Sequence, residues 1–151
     1  MRINGFADVC LRTLMLLGAQ AGERLTSREI SERIGVPYNH VSKAVLELRR
    51  RGALDVARGR TGGASITDAG LSLSVGALLR SLDGHQDPVE CITSDGTSCP
   101  LIAGCRLRSA LHVAREAFYA TLDGLTVEAL NSRPSHVSLP LPGHRGASVE
   151  G

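Results

Sequence analysis

The chain has few aromatic side chains, 3% of 151 residues, and no Trp. Its 42% hydrophobic content therefore comes from Leu, Val, Ile and Ala, and any core must be aliphatic. No stretch approaches the roughly 18 apolar residues of a membrane span. "LRTLMLLGAQA" offers an apolar run with a small-residue end, but Asp8 and Arg12 interrupt that region and a single Arg precedes it, unlike a secretory signal. The expectation is a cytoplasmic protein that does not engage a membrane. Complete nucleotide-binding motifs are missing too: "RGRTGG" at 58–63 is followed by no Lys-Ser/Thr. Internal repeats are absent.

The cysteines are short by one. Of four, Cys91, Cys99 and Cys105 fall in "ECITSDGTSCPLIAGCRLR", a stretch rich in Gly, Ser, Thr and Pro. Tetrahedral metal sites and cubane clusters take four ligands and disulfides take an even number, so three completes none of them. The fourth, Cys10, lies in a periodic apolar segment and reads as a small buried hydrophobe.

What is present is a charge gradient. Residues 1–66 hold 11 Arg/Lys against 6 Asp/Glu, and residues 67–151 hold 6 against 9. A basic front and an acidic back point to a nucleic-acid-binding N-terminal part. The periodicity agrees. "GFADVCLRTLMLLGAQ" places Phe6, Val9, Cys10, Thr13, Leu14 and Leu17 on one helical stripe, with Asn4 as N-cap and Asp8 and Arg12 one turn apart on another face. "TSREISERIG" has capping-box spacing between Thr26 and Glu29, an Ile30/Ile34 stripe, and Gly35 at the left-handed terminus. "VPYNHVSKAVLELRRRG" opens at Pro37, turns Val41, Ala44, Val45 and Leu48 inward, and ends in cations that the helix dipole favours. This is a helix-turn-helix, the second helix being the reader. "LDVARGRTGGASIT" then alternates as a hairpin around a basic tip, which makes a wing. A helix over about Asp68–Leu82 follows.

A longer helix is expected over Arg106–Leu122, striped by Leu107, Leu111, Ala114, Phe118 and Leu122, with Gly124 ending it and "TVEAL" as a short helical piece. One small winged domain is too small to cover that stripe. Symmetric dimerisation through it would bury the stripe and match a palindromic operator in double-stranded DNA. The fold class is thus mainly α with a small β-hairpin wing. The expected divisions are a winged helix-turn-helix domain at 1–82, a cluster-binding loop at 83–105, a dimerisation helix region at 106–131, and a disordered tail at 132–151.

Four chemistries compete for the loop cysteines. Cys91 and Cys99 lie among polar residues, against core packing, and a reducing compartment disfavours disulfides. Zinc usually takes pairs with two to four intervening residues; here seven and five intervene. An iron–sulfur cluster is larger than a single ion and accepts a wider loop. A continuous helix would hold Cys99 and Cys105 about 9 Å apart, so the chain must fold back between them, as Pro100 and Gly104 permit. On spacing the cluster fits best; zinc, reactive thiols and structural cysteines stay open.

Several segments in the same order carry a family resemblance: "MRINGFADVCLRTLM", "GVPYNHVSKAVLELRRRG", "ARGRTGG", "C…CPLIAGCRLR" and "EAFYATLDGLTVEAL". The chain resembles the winged helix-turn-helix iron–sulfur repressors over roughly residues 1–130. That resemblance implies a homodimer with one cluster per protomer on Cys91, Cys99 and Cys105. IscR-like members add a His three residues after the third cysteine, where this chain has Arg108; His112 matches no family position. The nitric-oxide-sensing members add an Asp from the partner protomer's first helix, and Asp8 falls at that place. The resemblance then implies a 4Fe–4S cluster, with Asp8 as fourth ligand, and operator release when the cluster is nitrosylated. The Cys91–Cys99 spacing is longer than the family pattern.

For DNA, Tyr38, Asn39, His40, Ser42 and Lys43 lie near the start of the reader, the part that meets base edges. Tyr38 and Lys43 suit phosphate, and Asn39 and His40 suit bases. Ser27 and Arg28 fit backbone contacts at the preceding helix start. Arg58 and Arg60 on the wing suit a narrow, A·T-rich minor groove. The rivals are a 2Fe–2S sensor of iron–sulfur status or redox, an electron carrier or cluster-using enzyme, and a zinc-stabilised DNA-binding module. No substrate-pocket signature supports the enzyme, so the expectation is a non-enzymatic regulator.

Overall fold

The computed structural model describes residues 3–84, 89, 91–92 and 95–132. The tail at 133–151 and residues 85–88, 90, 93 and 94 of the cysteine loop lie outside that set.

Helix α1 spans Gly5–Ala19, started by Asn4, whose side chain accepts the Ala7 N–H at 2.8 Å. The Asn4 amide also donates to the Leu82 carbonyl at 3.3 Å, joining the helix start to a distant segment. Val9, Cys10, Thr13, Leu14 and Leu17 are buried, as the stripe predicts. Phe6 is not: at 37% exposure it lies at the edge, and Ala7 takes the buried position in that turn. Thr13 is tolerated inside because its hydroxyl donates to the Val9 carbonyl at 2.8 Å.

Helix α2, Ser27–Ile34, carries the full capping box at Thr26 and Glu29 and ends at Gly35 with φ 66°, the left-handed region where glycine is favoured. Helix α3, Tyr38–Arg50, buries Val41, Ala44, Val45 and Leu48. Strands β1 (Leu54–Ala57) and β2 (Gly63–Ile66) form the antiparallel hairpin, in register from Leu54 opposite Ile66 to Ala57 opposite Gly63. Leu25 pairs with Ala64 on the outer side of β2, by backbone bonds of 3.0 and 2.8 Å. A side chain at Gly63 would stand 2.8 Å from the Leu25 carbonyl, so this approach requires glycine.

The expected helix over 68–82 is two helices, α4 (Asp68–Leu71) and α5 (Val75–Asp83). The break has a partner. Val75 N–H donates to the Leu125 carbonyl at 2.9 Å, Val127 N–H donates to the Leu73 carbonyl at 3.2 Å, and Ser74 restarts the helix by capping Ala77. Backbone pairing between remote segments has displaced a helical turn that the periodicity allowed.

After the cysteine loop, α6 runs Arg106–Leu122 and α7 Val127–Asn131. The core is aliphatic and has two parts. One joins α1, α2, α3 and the hairpin around Leu14, Ile30, Val41 and Leu48, and also takes in Leu78 and Val127. The other joins Ala7, Val75, Leu79 and Tyr119 where α5 crosses α6. Each fully buried Leu or Ile contributes about 1.5–3 kcal/mol.

The α5–α6 crossing is close: a methyl at Gly76 would lie 2.3 Å from the Tyr119 carbonyl. Gly76→Ala is therefore expected to destabilise the fold by about 1–3 kcal/mol through overpacking, despite alanine's better helix propensity. Urea unfolding reads this out, and a stability equal to the parent would contradict the close contact.

Candidate DNA interface and cysteine loop

The first turns of α2 and α3 come together. Ser27 is half-buried at the α2 start, and the exposed Arg28 sets its guanidinium 5.8 Å from the centre of the Tyr38 ring. Tyr38 is 55% exposed. Asn39, His40 and Lys43 are exposed, and the Asn39 side chain accepts the His40 N–H at 3.0 Å. Ser42 differs from its neighbours: its hydroxyl oxygen is buried without a hydrogen-bond partner among the described residues. Arg58 and Arg60 are exposed in the tip between β1 and β2. Arg24, near the wing's base, ion-pairs with Asp55 of β1 and donates to the Gly63 carbonyl at 3.2 Å. That pairing holds the Asp55 carboxyl below the usual carboxylate range.

The basic end of α3 divides in role. Arg51, with its side chain 25% exposed, bonds Glu47 at 2.7 Å and reaches Ser81 of α5 at 2.7 Å. Arg50 also pairs with Glu47, at 2.8 Å, but is 73% exposed. Hydrogen bonds from Arg50 and Arg51 hold the Glu47 carboxyl low. Arg51 therefore links the end of α3 to α5, the helix that enters the cysteine loop.

That loop is pinned by its own backbone. Cys99 N–H donates to the Cys91 carbonyl at 2.9 Å, Ile92 bridges Ser98, and Ile102 N–H donates to the Cys99 carbonyl at 3.0 Å. A 3₁₀ turn at Ile102–Gly104 lies between Cys99 and Cys105. Cys105 caps α6, its Sγ accepting the Arg108 N–H at 3.4 Å. Cys91 is buried, and Cys99 and Cys105 are half-buried. Three thiols on one tethered loop suit soft thiophilic metal centres. Yet among the described residues no group of three or more His, Cys, Asp or Glu side chains is placed to hold a metal ion. Asp8 does not complete such a group within its own protomer; it pairs with Arg12 at 2.9 Å, its side chain 47% exposed.

The α5–α6 seam above the loop carries a polar network that the sequence reading missed. Arg80 bonds Glu116 at 2.7 Å and Asp123 at 3.0 Å, with its guanidinium 5.4 Å from the centre of the Tyr119 ring. Arg80 holds both carboxyls low. The Tyr119 hydroxyl donates to Asp83, the last residue of α5, and burial with that bond pushes its pKa up to about 12. These partners lie 36 or 43 residues apart, a separation at which no local pattern signals a pair.

A helix-turn-helix with a basic hairpin wing, followed by a long helix whose first turns are uncovered, defines a winged helix-turn-helix DNA-binding regulator. The chain belongs to the Rrf2 family, described as iron-dependent transcriptional regulators, which matches residues 3–133. It is 45% identical over 137 residues to the HTH-type transcriptional repressor NsrR of Streptomyces coelicolor, covering 89% of this chain and 91% of that protein. It is 36% identical over 141 residues to the regulator NsrR of Geobacillus kaustophilus, covering 92% and 96%. Among solved structures, the global cysteine regulator CymR of B. subtilis aligns with TM-score 0.64 at 22% identity over 87% of this chain and 97% of that one. IscR of T. potens aligns with TM-score 0.63 at 17% identity over 86% and 85%. At those identities the structures establish the fold alone. The family and its named relatives make the chain a DNA-binding transcriptional regulator and not an enzyme. No helix among the described residues is long and apolar enough to cross a membrane.

Cys10 stands apart from the loop cysteines. It is fully buried, and burial, aided by Glu47, pushes its pKa from an ordinary 9.0 up to about 12. A folded-state pKa above the unfolded one means that the unfolded chain binds fewer protons at alkaline pH, so this contribution is complete below pH 9 and lost between about 9 and 12. Cys10→Ser should flatten that alkaline loss in urea titrations at several pH values. An unchanged slope would contradict it.

Proposed function

We propose that the chain is a homodimeric repressor that responds to nitric oxide through one 4Fe–4S cluster per protomer. Cys91, Cys99 and Cys105 would hold the cluster, and the partner subunit's Asp8 would be the fourth ligand. The observation that carries this reading is the pinned loop: three thiols held by backbone bonds between the end of α5 and the start of α6. When bound, such a cluster supplies iron that reacts with nitric oxide.

The uncovered start of α6 supports the dimer, since Leu107, the first residue of the apolar stripe, is 62% exposed. Residues 106–131 would form the dimer face. There Asp8 must exchange its ion pair with Arg12 for the partner's loop. An oxygen ligand is harder and weaker on iron than a thiolate, so Asp8 is the ligand most readily lost. Losing it frees α1 from the partner's loop. Because α1 shares one core with α2 and α3, and Arg51 joins α3 to α5, the spacing of the two reader helices would change. Two sites and two states are thereby linked by one differential contact.

On the DNA side, α3 would enter the major groove with Asn39 and His40 toward bases and Tyr38 and Lys43 toward phosphate. Ser42 would need to turn its hydroxyl outward to take part. Ser27 and Arg28 would contact backbone, and Arg58 and Arg60 the minor groove of a palindromic operator.

Two measurements test this reading. Asp8→Ala, prepared anaerobically, should lose cluster absorbance faster in nitric-oxide titration and uncouple that loss from operator release. A variant that kept both the cluster and full nitric-oxide release would sink the ligand role. Arg60→Ala should weaken operator binding and lower the salt slope by about one ion, whereas an unaltered slope would remove Arg60 from the interface.

A further inference from the structure

The outward face of α3 presents a side chain that phosphate binding does not use. With Val41, Ala44, Val45 and Leu48 facing the core, a helix of 3.6 residues per turn points Asn39, Lys43, Leu46 and Arg50 directly away from it. Leu46 sits on that line at 65% exposure, while every other aliphatic side chain of α3 is buried. A lone exposed leucine needs no explanation on an ordinary surface. Here it lies between cations on the face proposed to meet DNA. Asn39 and Leu46 lie two turns apart on this same face. The Ser42 hydroxyl is buried, which leaves the surface between Asn39 and Leu46 less polar than the sequence suggests.

We infer that Leu46 is a specificity-determining residue that packs against the 5-methyl group of a thymine in the major groove. Among base edges in that groove, the thymine methyl is the one apolar group; the others present donors and acceptors. Leucine against a cytosine amino group or a guanine acceptor would desolvate it without a replacement partner, which disfavours those bases. A protein partner is a poorer fit, because a single aliphatic side chain ringed by Lys43, Arg49 and Arg50 falls far short of the roughly 800 Å² per side of a stable interface.

The inference rests on α3 being the reader, and the test separates the two. Full-length protein, Leu46→Ala and Asn39→Ala each select binding sites from a random duplex library, with circular dichroism confirming that both variants are folded. The parent should enrich a thymine in each half-site. Replacing it by deoxyuridine, which lacks only the methyl, should weaken parent binding about fourfold per half-site, the worth of one buried methyl group. Leu46→Ala should bind both duplexes equally. If no thymine is enriched, or if parent and Leu46→Ala lose the same affinity on methyl removal, the inference is overturned. If Asn39→Ala also selects the parent's site unchanged, α3 is not the reader and the broader reading falls with it.

Discussion

The structure depends on the burial of α1 against two neighbours at once. Cys10, Leu14 and Leu17 enter the core shared with α2, α3 and the hairpin, while Ala7 enters the core shared with α5 and α6. A helix committed on both sides transmits displacement, because close-packed interiors move between discrete arrangements and resist gradual deformation. The hairpin, α3 and the α5–α6 seam all pack on one element. Asn4 adds a polar tie between its first turn and the end of α5.

The α5–α6 seam is stabilised differently. Its apolar part is small, and much of its surface is the exposed pairing of Arg80 with Glu116 and Asp123. Exposed pairs are individually weak, and their value here is geometric: one guanidinium, stacked near Tyr119, fixes the rotation of α5 relative to α6. Arg51 adds a second tie, from the end of α3 to Ser81 of α5. The helix feeding the cysteine loop is thus tied to α6 through its own Arg80 and to the end of α3 through Arg51.

Elements defined by local rules were legible in the sequence. The capping box at Thr26, the left-handed Gly35, the inward face of α3 and the wing follow from patterns a few residues long. The break at 72–74 was not legible, since its cause is the pairing of Leu73 and Val75 with Leu125 and Val127, some fifty residues on. Phe6 fitted the stripe by period, yet Ala7 is the residue that packs where the helices approach. For the candidate site, sequence brought out the cysteines and basic side chains. Their local tethering, the inward hydroxyl of Ser42 and the arginine network emerged only in three dimensions.

The scarcity of aromatic residues has an optical consequence. With no Trp and two Tyr, near-ultraviolet emission comes from Tyr38 and Tyr119. Tyr38 stands beside Arg28 where α3 begins, and Tyr119 is hydrogen-bonded to Asp83 on the α5–α6 seam. The chain carries one intrinsic fluorophore at the start of α3 and one on the α5–α6 seam. Replacing either with phenylalanine would leave the other as a label-free reporter of its own surroundings.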